Sequence, residues 1–166
     1  MLPLRRLAGL MVYALVAISS NSIAEDEHPP GANLNLSLEL MELLRGEMQA
    51  LLVGANTLPG AIAAADWENV ARIGKEIQES YILEKQLSKA QREELESALP
   101  DHFKRLDGAF HEEAAKLAAA AGKHDAELSA FHFYRLIEAC TTCHALYTPA
   151  RFPGFSQPEE HAHDHE

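Results

Sequence analysis

Apolar residues recur every three or four positions through most of this chain, and that spacing admits few folds. Leu34, Leu38, Met41, Leu44, Met48 and Leu51 form one such series. Val70, Ile73, Ile77 and Tyr81 form a second, and Leu99, Phe103, Leu106, Phe110, Ala114 and Leu117 a third. At about 3.6 residues per turn each series lies along one side of an α-helix. The run N-L-N-L-S-L-E-L at 33–40 also alternates at period two, as a strand does. No second strand-like segment follows for it to pair with, so the helical reading is the consistent one.

Start and stop residues then divide the chain. The first helix is expected over about 35–53, running on with a break at Gly54, Pro59 and Gly60 as far as Ala65. Asp66 offers an N-cap for the second, and 80–87 reads as a connector. Ser88 with Gln91 three residues on has the form of a capping box for the third helical region. Pro100 must kink that region or start a fresh segment, and Gly122 ends it. Asp125 caps the last helix, expected over 126–147 and stopped by Pro149. Short connections between four amphipathic helices predict an all-α, antiparallel four-helix bundle over residues 34–148.

The flanks have a different character. Residues 1–24 read as an export signal: Arg5 and Arg6 lead an apolar stretch from Leu7 to Ile18, followed by Ser22-Ile23-Ala24 as a cleavage site. Residues 25–33 are a Pro-Gly-containing lead-in, and 149–166 a C-terminal extension ending E-E-H-A-H-D-H-E. Cleavage would leave 142 residues with 12 basic and 25 acidic side chains, a net charge of −13. That charge disfavours nucleic acid and anionic lipid and favours a basic docking partner. After cleavage no apolar run remains that is long enough to cross a membrane, so a protein free in the periplasm is expected.

Two cysteines occur in the whole chain, and both belong to Cys140-Thr-Thr-Cys143-His144. A disulfide over so small a loop would constrain the unfolded chain little. A redox dithiol wants its first cysteine at a helix N-terminus beside a β-α-β unit, whereas this pair falls near the end of a helix. Zinc needs four ligands, and three residues on a single turn leave one missing. Covalent haem needs this order of residues: two thiols for the two vinyl groups, then an imidazole for the iron. Residues three and four apart share a helix face, and the three were expected to continue a stripe through Ala130, Phe133, Leu136 and Ile137.

His144 accounts for one axial position of such an iron. Beyond the signal the chain holds two methionines, Met41 and Met48, either of which could supply the other ligand from the first helix. His102, His111 and His132 offer a bis-histidine site instead, although His111 lies beside its stripe and suits a solvated or hydrogen-bonded role better. An open distal position is the remaining arrangement.

With its export signal, four helices and terminal C-x-x-C-H, the chain resembles the class II c-type cytochromes, the cytochrome c′ group and its low-spin relatives, over residues 33–147. The resemblance implies one haem c, joined through Cys140 and Cys143 with His144 as the proximal ligand. L-M-E-L-L-R-G-E-M, residues 40–48, is similar to the segment that carries a methionine ligand in low-spin members, with Met41 at the ligand position. High-spin members carry an apolar residue there over a five-coordinate iron. Some members have an arginine one turn earlier near a propionate; here that residue is Ser37. Pairing as a homodimer through exposed helix faces also occurs in the family.

Two functions follow from this reading. One is a periplasmic electron carrier, not an enzyme, that exchanges electrons with redox partner proteins. The alternative is a five-coordinate protein that binds or handles a small gas such as nitric oxide or carbon monoxide. No arrangement of distal acid and base groups suggests peroxidase chemistry. The histidine-rich tail reads as a solvated acidic segment, with weak binding of zinc, copper or nickel as the competing reading.

Overall fold

The computed structural model describes residues 34–155. The expected signal and lead-in, and the tail from residue 156 onward, lie outside the described residues. The described residues form five helices of ten residues or more: α1 (Leu38–Ala63), α2 (Trp67–Gln78), α4 (Lys89–Ala98), α5 (Asp101–Gly122) and α6 (Ala126–Tyr147). A single turn, α3 (Leu83–Gln86), sits in the connector, and a 3₁₀ turn follows α6 at Pro153–Phe155. Among the described residues there is no strand. The molecule is an all-α four-helix bundle of α1, α2, α5 and α6.

Two of the connections are built alike. After α1, Ala65 takes φ 55° while its N–H bonds to Ile62 O and that of Asp66 to Ala61 O. After α5, His124 takes φ 56° while its N–H bonds to Ala121 O and that of Asp125 to Ala120 O. Both are Schellman-type closures, which satisfy the last carbonyls of a helix through a left-handed residue. Each then hands over to an aspartate N-cap: Asp66 accepts from Asn69 N–H and Asp125 from Leu128 N–H. Trp67 stacks on His124 at 6.3 Å between ring centres, so the two hairpin turns share one end of the bundle.

The remaining boundaries show which local signals prevailed. Ser88 and Gln91 form the full capping box expected of them. Pro100 starts a fresh helix rather than bending one, and stands as the N-cap of α5. α1 instead runs through Gly54, Pro59 and Gly60 unbroken. Pro59 is exposed near the C-terminal end, and the buried residues on either side, Leu58 and Ala61, hold the last turns against the core. One missing N–H is offset by that packing.

Cross-helix contacts give the directions. Glu47 on α1 meets the chain at Tyr81 just after α2, and Gly54 meets Ile73. Ile77 O bonds His111 on α5, while Gly74 lies against Ala114 and Ala118. Glu113 on α5 pairs with His132 on α6, and Phe103 packs on Tyr147. In each pair the numbers run oppositely, so neighbours are antiparallel and α1 is antiparallel to α6. The start of α1 and the end of α6 therefore share the end of the bundle remote from the two hairpin turns.

Gly74 sets the tightest of these contacts. A Cβ there would stand 3.0 Å from Ala118 N and 3.1 Å from Ala114 O, backbone atoms that cannot step aside. Around this crossing lies the main core, with Leu58, Val70, Ile73, Leu117 and Leu136 nearly or wholly removed from solvent.

Two buried stripes differ from the expected ones. On α1 the inward line is Leu40, Glu47, Gly54, Leu58 and Ala61, whereas Leu38 and Met48 are exposed and Met41 is half-buried. A carboxylate and a glycine occupy the centre of this face, and counting apolar residues passes over both. On α6 the buried residues are Ser129, Leu136 and Tyr147; Ala130 and Ile137 face outward, Ile137 at 39% exposure. Ser129 lets the helices approach closely there, although its hydroxyl has no protein partner.

Candidate functional site

The last turns of α6 carry the cysteine pair and its histidine. Cys140, Cys143 and His144 are all half-buried, while Thr141 and Thr142 between them are exposed. Both threonine hydroxyls donate to Glu138 O, which keeps them turned back along the helix. The shift of the α6 stripe thus removes Ala130 and Ile137 from the inward line but leaves the three motif residues together.

The two cysteines are not joined in a disulfide. Burial raises the pKa of Cys140; burial, then the Asp107 carboxylate and Cys140, push that of Cys143 up to about 11. At neutral pH such sulfurs stay protonated, unlike the lowered thiol of a dithiol exchange site. Burial, with the Arg151 guanidinium, pushes the His144 imidazole below its usual value. Its neutral form, which keeps a lone pair for a metal, is thereby favoured. Two protonated thiols and a neutral imidazole within one turn fit the donor set of a haem c.

The surroundings are partly open and apolar. On α1, Leu40 is fully buried, while Met41, Leu43 and Leu44 are half-buried. Met41 stands about 100° around the helix from Leu40, at the edge of the inward face rather than its centre. By the antiparallel order above, it lies at the same end of the bundle as His144. Met48, at 40% exposure, is outside the face because its neighbour Glu47 takes the inward position. Ser37 is the N-cap of α1: its hydroxyl accepts from Leu40 N–H, and its own N–H donates to Glu94 on α4 at 2.7 Å.

The three histidines considered as alternative ligands, His102, His111 and His132, have hydrogen-bonding partners. His111 bonds Ile77 O through Nδ1 at 2.7 Å, with Asp107 3.7 Å from its Nε2. His132 Nδ1 lies 2.5 Å from Glu113 Oε1. His102 Nδ1 is 3.3 Å from the Tyr147 hydroxyl, while Tyr147 packs edge-on against Phe103. His111 is hydrogen-bonded, as its place beside the stripe suggested.

Two residues of this region were missed in the sequence. Glu47 is only 2% exposed, and its carboxylate accepts from three successive N–H groups, of Tyr81, Ile82 and Leu83, at 2.9, 2.6 and 3.1 Å. Those bonds compensate a buried charge and tie the α2–α3 connector to α1. Phe152 lies beyond the helix and stacks on the His144 ring, with centres 4.3 Å apart and planes inclined by 16°. Its only signal was an aromatic residue in a turn-forming R-F-P-G-F, eight residues after the histidine.

The family model described as Cytochrome C′ matches residues 36–148. No curated protein and no solved structure matches the chain significantly. The matched span begins just before the N-cap of α1 and ends just after α6.

Proposed function

Since this chain belongs to the cytochrome c′ family and is a c-type cytochrome, we propose that it is a periplasmic one-electron carrier whose haem is held by Cys140, Cys143 and His144, with Met41 as the second axial ligand. The observation that carries this reading is the cluster of both thiols and the imidazole on the half-buried side of one helical turn, at the end of the bundle where α1 begins and Met41 lies in its first turn.

Each residue has a defined part. Cys140 and Cys143 would hold the haem through thioether bonds, each thiol adding across one vinyl group with its proton going to the neighbouring vinyl carbon. His144 contributes an imidazole lone pair and Met41 a thioether. When bound, the haem supplies the ferric/ferrous couple, and thioether ligation favours the ferrous side. The acidic surface suits redox partners that dock through a basic face. No helix among the described residues is long and apolar enough to cross a membrane.

Leu40 favours a second reading. It is completely buried and holds the centre of the α1 face that Met41 only flanks. If Leu40 covers the distal side, the iron has five ligands and the protein binds a small gas. Absorption spectra of the ferric, ferrous and carbon-monoxide-treated ferrous protein separate the two. The electron-carrier reading predicts low-spin spectra that ignore carbon monoxide until Met41→Ala is introduced. Rapid carbon monoxide binding by the unaltered protein, with Met41→Ala changing nothing, would establish the gas-binding reading instead.

A further inference from the structure

The segment after α6 has no part in the bundle core, yet it is folded onto the end of that helix. Thr148 and Pro149 accept the backbone N–H of Phe152, Thr148 also that of Arg151, and Phe152 that of Phe155. These bonds wind residues 148–155 into successive tight turns. The turns bring Phe152 back over the chain that it follows.

Three contacts fix the Phe152 ring in place. One face meets the His144 imidazole in a near-parallel stack. The Arg151 guanidinium carbon lies 5.8 Å from the ring centre, and Phe155 packs edge-on at 6.4 Å. On the other side, the Thr148 hydroxyl donates to His144 O at 3.2 Å, holding the backbone of the same residue. An imidazole on a helix turns about two side-chain bonds, and a flat ring lying against it removes most of that freedom.

We propose that Phe152 is a positioning residue for His144: its ring sets the plane of the imidazole and shields that face from water. This rests on His144 being the proximal ligand. An iron-bound imidazole can still rotate about the Fe–N bond, and its azimuth determines how unpaired electron density spreads over the four pyrroles. A parallel ring resists that rotation, much as a hydrogen-bonding partner orients a metal-bound histidine.

The test compares the full-length haem-loaded protein with Phe152→Leu and Phe152→Tyr. Leucine keeps apolar bulk without a flat ring, and tyrosine keeps the ring. The readout is the set of haem methyl resonances in the proton NMR spectrum of the ferric form, whose spread and order follow the imidazole plane. Phe152→Leu is expected to change their order or narrow their spread, with broader lines, and Phe152→Tyr to reproduce the original pattern. Equal loss of the pattern in both variants would mean that Phe152 only packs the tail, and an unchanged pattern in Phe152→Leu would remove any orienting role. A protein that carries covalent haem but shows either result refutes the role of Phe152 alone. One that carries no covalent haem refutes the ligand assignment beneath it, and the inference with it.

Discussion

Where α1 turns into α2 and α5 into α6, the bundle is closed. Leu58, Val70, Leu117 and Ala121 are wholly buried around short, fully bonded turns, and Gly74 lets two backbones nearly touch. At the opposite end Leu40, Phe103 and Tyr147 are buried too, but Leu43, Leu44, Leu106 and both cysteines are only half-buried, and Glu47 and His111 bring polar groups inward. The same kind of helix builds both halves. A glycine lets two helices of one half approach closely, whereas the other half carries half-buried side chains and inward polar groups around the C-x-x-C-H turn. The difference assigns stability to one end and chemistry to the other.

Removing both thiols should sharpen that difference most strongly. In Cys140→Ala/Cys143→Ala, amide exchange is expected to quicken roughly tenfold or more in 101–110 and 140–147, while 70–77 and 114–121 stay protected. Equal loss of protection in both halves would show that the bundle folds as one unit and that the division is only a matter of packing.

Truncations probe the same contrast through stability. Leu117→Ala removes a side chain with no exposure and should cost about 3 kcal/mol. Leu106→Ala, at a half-buried site, should cost about 1 kcal/mol in haem-free protein. Urea unfolding measures both, and similar losses would contradict the packing difference.

The smallest effect is electrostatic. The Asp107 carboxylate, 3.7 Å from Nε2, raises the His111 pKa despite the opposing effect of burial, with further support from Ile77 O and Glu47. A raised value means that the folded state holds the proton more tightly than the unfolded one. The resulting stability is complete below the unfolded value of 6.5 and disappears as pH rises through the higher folded value. Urea midpoints measured from pH 6 upward should therefore fall for the unaltered protein relative to His111→Gln. A constant difference between the two would remove His111 as the source.

How far these halves could be read from the sequence depended on where the local signal lay. Asp66, Ser88 and Asp125 mark helix starts by their own chemistry and each stands at the cap position expected of it, while Pro100 takes the second of its two expected roles and starts a fresh helix. The motif residues share a side because spacings of three and four survive any rotation of the helix. The rotation itself was not legible. It is set by Glu47 and Gly54, whose partners are distant in sequence, and by Ser129, all inward residues whose types suggest the surface. That is why Met48 reads as inward but is exposed, and why Leu40 was overlooked beside Met41. Phe152 was illegible for a related reason, since only the turns after Thr148 place it on His144.

The central claim is that the open half is built around a haem bonded to the last turn of α6. An intact-mass spectrum of the exported protein, taken after denaturation, tests it most directly. The account predicts a chain heavier by one haem, with both thiols unreactive to alkylation and the added mass lost in Cys140→Ala/Cys143→Ala. A chain of unmodified mass with two alkylatable cysteines would contradict it.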